Sequence, residues 1–322
     1  MPISRSTKPR VCITAGYPAG IGPEIILKTL ASPKIRRLAD FLVIGDISVF
    51  EKAAKVIGKR LSCRIIDAGL IPSKSFRFGI TSADYGRASI DYIRRAVSII
   101  KNKEADLLVT APISKHCAEL SGFKYPGHTE YLAHITKTKK YAMMLTGAGL
   151  KVVLATTHLP IKDVPGALKK KRITDILVLT NSFLKKYYKI RRPRIAVCGL
   201  NPHAGDDGML GKEEKRVISP AIKEAKKRGV NATNALAADG LFYDLYKKHY
   251  DAALCMYHDQ GLVALKMVGR DNSVNITMGL PFIRTSPGHG TALDIAGKNI
   301  ASFESMKESI ITAVKLFKNT NA

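Results

Sequence analysis

The chain has 322 residues, 46% of them hydrophobic, and its 52 Lys and Arg against 26 Asp and Glu give a formal charge of +26. That length supports two cores rather than one, and no apolar run approaches the roughly 18 residues of a membrane span. The basic residues are spread over helix-like segments with no aromatic-interleaved stripe or finger motif, so the charge reads first as a lysine-rich surface, ahead of a polyanionic partner or the steering of an anionic substrate.

In chain order, β-branched runs predict strands over 11–15, 41–45, 107–110, 152–155, 195–198, 252–255 and 275–277. Amphipathic stretches between them predict helices over 23–30, 82–102, 174–187, 213–227 and 305–318. Strands alternating with helices argue for βαβ units and mainly parallel sheets. The apolar segment 11–15, after a basic start, is too short for a secretory core, so the expected location is the cytoplasm. Cys12, Cys63, Cys117, Cys198 and Cys255 are far apart and form no CxxC pair, which fits neither a disulfide framework nor a thiolate zinc site.

Ligands of parallel sheets gather beyond the carboxyl ends of the strands. Here 11–15 runs into GYPAGIGPE, 107–110 into APISK, 152–155 into TTH, 195–198 into GLNPHAG and 252–255 into MYHDQ. Five strand ends furnished with histidine, lysine, glycine or hydroxyl residues point to one shared cleft. His158, His203 and His258 each follow such an end by a few residues. Three neutral imidazoles can hold a divalent metal and leave a coordination position open, which favours a metal centre over three separate core or surface histidines. Asp259 and Asp239 are candidate partners that fix the imidazole tautomers, although Asp239 can equally cap the helix before GLFYDLY.

The remaining motifs admit two readings each. GYPAGIGPE can offer amides to an anion, or be a tight turn with Pro23 opening a helix. GHTEYLA starts a helix whose His128 and Thr129 can meet an anionic ligand, or whose Thr129 caps it. Lys266, Asn275 and Arg284 are candidate substrate contacts, and Arg284, between PFI and TSPGHG, is the least surface-like cation. TSPGHGTALDIAGKNIA (285–301) reads as a long loop ordered around a ligand, with Asp294 suited to a ribose diol or to local loop bonds. On the histidines alone a metal-dependent hydrolase is the alternative.

Together TAGYPAGIGPEI, TAPISK, YPGHTE, TTH, GLNPHAG, MYHDQGL, GLPFIRTS and HGTALDIAGK closely resemble the 4-hydroxythreonine-4-phosphate dehydrogenase family of pyridoxal phosphate biosynthesis. The resemblance implies a two-domain isocitrate/isopropylmalate dehydrogenase-like α/β/α fold with an interdomain cleft. It implies a cofactor-side domain of residues 1–115 plus 268–322, and a central domain of 116–267 bearing the metal ligands and the dimer interface. The activity implied is metal-dependent NAD or NADP oxidation of 4-phosphooxy-L-threonine at C3, with decarboxylation to 3-amino-2-oxopropyl phosphate. A zinc, magnesium or cobalt ion would be held by His158, His203 and His258 in a site shared within a homodimer. Substrate contacts would come from His128, Thr129, Lys266, Asn275 and Arg284, and cofactor contacts from Gly290, Thr291, Ala292 and Asp294. A related group acts on threonate or erythronate 4-phosphate. Two departures stand out: GYPAG places Tyr17 where the family has aspartate, and PGHGTA places Pro287 and Gly288 where it has VD.

Overall fold

The computed structural model describes residues 8–61 and 63–321, and the chain divides into two units, residues 8–135 with 281–318 and Thr136–Leu280. The first unit opens with β1 (Arg10–Thr14), α1 (Gly22–Leu30), α2 (Pro33–Arg36), β2 (Asp40–Gly45), α3 (Ile47–Ile57), β3 (Arg64–Asp67) and α4 (Ala83–Lys101). It continues with β4 (Leu107–Thr110), α5 (Lys115–Leu120) and α6 (His128–Ile135). The second unit holds β5 (Ala142–Gly147), β6 (Leu150–Leu154), α7 (Val164–Ala167), α8 (Lys170–Tyr188) and β7 (Ile195–Cys198). A π-helical turn (Glu214–Ile218) then leads into α9 (Ser219–Lys227), β8 (Ala232–Leu236), α10 (Ala238–Tyr246), β9 (Ala252–Cys255), α11 (His258–Gly269) and β10 (Val274–Met278). The chain closes through β11 (Ile283–Pro287) and α12 (Glu304–Asn321).

In the first unit the strands run β3-β2-β1-β4-β11, and every pair is parallel. In the second they run β10-β5-β6-β9-β7-β8, antiparallel from β10 to β6 and parallel from β6 to β8. Strands covered on both faces read as continuous apolar runs rather than alternating ones. LLVT of β4, IAVC of β7 and AALC of β9 are of this kind, and each is buried at every residue. Ser82 starts α4 by accepting from Tyr85 N. Among the described residues no helix is long and apolar enough to cross a membrane. The five cysteines are free, and the Cys198 and Cys255 sulfurs lie 3.9 Å apart in the core.

The expected strands and helices are all present, with small shifts of their ends. Strands β3, β5, β8 and β11 were not expected. IRTSP of β11 looks polar, yet it is buried throughout because it pairs with β4. The expected 285–301 loop therefore begins only after Pro287. The expected helix over 213–227 is a π-helical turn followed by α9. The junctions between the units fall at 135/136 and 280/281, not at 115/116 and 267/268. Pairing explains one shift, since β10 is bound antiparallel to β5. Close packing explains the other, since α5 lies so tightly on α4 that a Cβ at Gly86 would fall 2.0 Å from Cys117 O.

The core of the second unit sets the position of α11. Leu262 and Leu265 pack with Val152, Leu154, Ala253 and Cys255, and Gly261 lets the helix close onto the strands. A Cβ at Gly261 would lie 2.3 Å from Val152 Cγ1 and 2.9 Å from Cys255 Sγ. Overpacking of this kind costs about 1–3 kcal/mol. Gly261→Ala is expected to lower unfolding stability by that amount, read from the denaturant midpoint; an unchanged midpoint would show that α11 is free to move outward.

Candidate functional site

Strands β6, β9 and β7 are consecutive neighbours and all parallel, so their carboxyl ends share one edge. His158 follows β6, His258 follows β9 and His203 follows β7. The pairing of β6 with β9 continues beyond the strands: Ala155 N donates to Cys255 O at 2.8 Å, and Thr156 Oγ1 to Met256 O at 2.7 Å. This brings the His158 and His258 rings to 5.6 Å between centroids. His258 is the first residue of α11 and is half-buried. Its Nδ1 lies 2.6 Å from Asp259 Oδ1, which fixes the tautomer and leaves Nε2 as the donor atom for a ligand. Two imidazoles so spaced suit two positions around one divalent ion.

The third histidine is presented differently. His203 is exposed, and with Ala204, Gly205, Asp206, Asp207 and Gly208 it has positive φ. Such a left-handed conformation costs an L-residue on the order of 1–2 kcal/mol, so the turn must be held from outside. Among the described residues no group of three or more His, Cys, Asp or Glu side chains is placed to hold a metal ion. Within one chain, then, His158 and His258 meet and His203 does not complete the set. Asp239 lies exposed in the first turn of α10, where its charge suits the helix dipole.

Sequence reasoning did not single out two residues that shape this edge. Gln260 accepts from Met256 N and donates to Gly199 O, both at 2.7 Å, and so joins the ends of β9 and β7. Glu214 is buried and accepts from Leu200 N and Asn201 N. Only its place in a motif hinted at Gln260; nothing local marks Glu214. Asn275 of β10 has a buried Oδ1 without a hydrogen-bond partner among the described residues, and Lys266 is exposed on α11.

In the first unit, polar groups gather around Arg284 of β11. Arg284 is 1% exposed and donates from Nη2 to Thr110 Oγ1 at 2.5 Å. Burial pulls its pKa down to about 9, against the opposing charge of Glu130, so it remains a cation at neutral pH. His128 opens α6, and its Nε2 is buried without a hydrogen-bond partner among the described residues. Burial, then the charges of Arg284 and Lys115, hold its pKa well below the ordinary 6.5, which makes it a neutral imidazole. Thr129 beside it is buried, as is the Thr14 hydroxyl at the end of β1. A buried cation, a neutral imidazole and hydroxyls can bind an oxyanion and accept a proton.

The segment after β11 packs on the β1–α1 turn. Ile21 N donates to Thr291 O at 3.0 Å, and Lys28 Nζ bonds Glu24, Asn299 O and Ala301 O. Ala292 takes φ 43°. Gly290 and Asp294 are exposed, with Thr291 and Ala292 half-buried. Tyr17 is fully buried; its hydroxyl donates to Ile80 O and accepts from Ser82 N, both at 2.9 Å.

Residues 37–313 match the family model described as pyridoxal phosphate biosynthetic protein PdxA. The 4-hydroxythreonine-4-phosphate dehydrogenase of Geobacter metallireducens is 41% identical, with 97% of this chain and 96% of that protein covered. The D-threonate 4-phosphate dehydrogenase of Cupriavidus necator is 39% identical, over 96% of this chain and 97% of that one. The crystal structure of a 4-hydroxythreonine-4-phosphate dehydrogenase from Klebsiella pneumoniae superposes with a TM-score of 0.87 at 36% identity, covering 96% of this chain and 99% of the other.

His128 gives a pH test. Below about pH 6.5 the unfolded chain binds a proton at this residue while the folded chain does not, so its burial subtracts stability as pH falls from there toward the folded pKa. His128→Gln is expected to flatten this part of the stability–pH curve between roughly pH 5 and 7, measured by urea unfolding. An unaltered slope would place a protonated imidazole in the folded site.

Proposed function

Because the chain belongs to the pyridoxal phosphate biosynthetic protein PdxA family, we propose that it is a metal-dependent, NAD- or NADP-linked dehydrogenase of 4-phosphooxy-L-threonine. It oxidises C3 and releases carbon dioxide, leaving 3-amino-2-oxopropyl phosphate, and it works in the cytoplasm. The observation that carries the reading is the release of His158, His258 and His203 from one edge of three neighbouring strands, with the first two rings 5.6 Å apart.

The ligand set is His158, His258 and His203 around zinc, magnesium or cobalt, shared within a homodimer. In this reading a second copy of the chain contributes to each site. Exposed Val263 and Met267, one turn apart on α11, give that helix an outward apolar face suited to such an association. When bound, the ion would supply positive charge at the C3 oxygen and the nicotinamide would supply a hydride acceptor. Asp259 keeps Nε2 of His258 available as a ligand atom. Arg284, Thr129, Asn275 and Lys266 hold the substrate's charged and hydroxyl groups. His128, neutral and with Nε2 unengaged, takes the C3 hydroxyl proton in preference to exposed Lys266. Once the carbon–carbon bond to the carboxylate breaks and carbon dioxide leaves, a proton fills the vacated position. Gly290, Thr291, Ala292 and Asp294 line the cofactor, with the Asp294 carboxylate accepting from the ribose diol.

A second reading, oxidation of threonate or erythronate 4-phosphate, is favoured by the relative named D-threonate 4-phosphate dehydrogenase at 39% identity. It changes the substrate but not the roles of the histidines.

The decisive assay follows NAD and NADP reduction with 4-phosphooxy-threonine, threonate 4-phosphate and erythronate 4-phosphate, with and without added metal. The amino acid phosphate is expected to turn over fastest, and only with metal; a preference for a sugar-acid phosphate selects the second reading, and no reduction with any of them rejects both. His158→Ala and His203→Ala proteins, each inactive alone, are expected to regain about a quarter of wild-type activity when mixed and reassociated, since half the pairs are mixed and each has one intact site. No regain would place all three ligands in one chain.

A further inference from the structure

Residues 203–208 form a continuous left-handed turn, with φ of 50° at His203, 54° at Ala204, 86° at Gly205, 40° at Asp206, 49° at Asp207 and 94° at Gly208. Four of the six are not glycine, and such a run does not persist without outside support. The turn's own bonds are local: Ala204 N to Asn201 O, Met209 N to Asp206 O and Leu210 N to Gly205 O. The ion pair of Asp207 with Lys215 joins a 92% exposed carboxylate to a half-exposed ammonium, and such surface pairs add little.

One buried side chain supplies the missing support. Glu214 is 5% exposed. Its Oε1 accepts from Leu200 N at 2.7 Å and from Asn201 N at 2.9 Å. Its Oε2 accepts from Asn201 Nδ2 at 2.9 Å, and the same amide reaches Glu213 Oε2 at 2.8 Å. The carboxylate also occupies the space a side chain would need inside the turn. A Cβ at Gly205 would lie 2.6 Å from Oε2, and one at Gly199 would lie 3.1 Å from Oε1. So Glu214 ties down the entry of the turn by hydrogen bonds and its middle by shape. It projects from the π-helical turn 214–218, and such widened turns recur where a helix must aim a functional side chain. From the other side, Gln260 anchors Gly199 O to the strand end that releases His258.

We propose that Glu214 is the positioning residue of His203: its carboxylate holds the left-handed turn, and thereby the imidazole, in the attitude that a divalent cation requires. This deepens the metal-site reading above and rests on it. Replacing the carboxylate by an amide keeps the size but sets a donor against at least one of the three N–H groups that now donate to it. Support from outside the ligand set is worth about 10–100-fold in metal affinity.

The test is cobalt(II) titration of the metal-free protein, together with amide hydrogen exchange over residues 200–210, for wild type, Glu214→Gln, His203→Ala and Lys215→Ala. Glu214→Gln is expected to weaken cobalt binding by about 10–100-fold and to speed exchange at Leu200 and Asn201, with the rest of the exchange map unchanged. Lys215→Ala, which removes only the exposed pair, is expected to bind cobalt as wild type does. If His203→Ala loses affinity while Glu214→Gln keeps it, the inference fails and the metal reading stands. If Glu214→Gln loses affinity with no change in exchange over the turn, Glu214 acts by another route and the inference again fails. If His203→Ala itself binds cobalt normally, the metal reading falls, and the positioning role falls with it.

Discussion

Parallel pairing of β6, β9 and β7 obliges three stretches of chain, a hundred residues apart at the extremes, to leave their sheet on the same side. In an antiparallel pairing β6 and β9 would send their histidines to opposite ends, and the rings of His158 and His258 would not meet. Parallel neighbours need long crossovers, here supplied by α8, α9, α10 and the turns between them. They also need both faces covered, which is why IAVC and AALC contain no polar residue. The chemistry at the edge thus depends on the burial behind it. Hydrogen bonds carry the strand pairing on into Ala155 and Thr156, so the His158 loop starts from a fixed point.

Much of this was legible before any coordinates. The runs LLVT, IAVC and AALC marked three strands to the residue, because a doubly covered strand is apolar without a break. The strand-end rule then isolated the histidine motifs from local sequence alone. What stayed hidden depends on partners distant in the chain. IRTSP becomes a buried strand only because β4 lies beside it. Asn275 belongs with the second unit only because β10 pairs with β5. Glu214 looks like any acidic residue in a lysine-rich helix, and its burial under the His203 turn has no local signature. Of the five furnished strand ends, those of β1 and β4 belong to one unit and those of β6, β7 and β9 to the other, a division that local sequence does not mark.

The two departures from the family's usual motifs have structural substitutes in this chain. Tyr17 spans the β1–α1 turn and the segment before α4, bonding Ile80 O and Ser82 N from full burial. Desolvation raises its pKa above the usual phenol range, so it serves as a neutral brace where a carboxylate would bring charge. Pro287 ends β11 buried, and Gly288 N donates to Ser305 Oγ at 3.0 Å. Both positions are neutral here, in a chain with twice as many cations as anions.

The free thiols carry a practical consequence. Four of the five cysteines are buried, and burial pushes the Cys12 thiol up to about 12 and Cys255 well above its ordinary range. Only Cys63 is partly open to solvent, with its thiol raised to about 11. An alkylating dye applied at mildly alkaline pH would therefore mark this protein slowly and at one place, on the loop before β3. That leaves a native handle for fluorescence work without engineering any residue of the reaction centre.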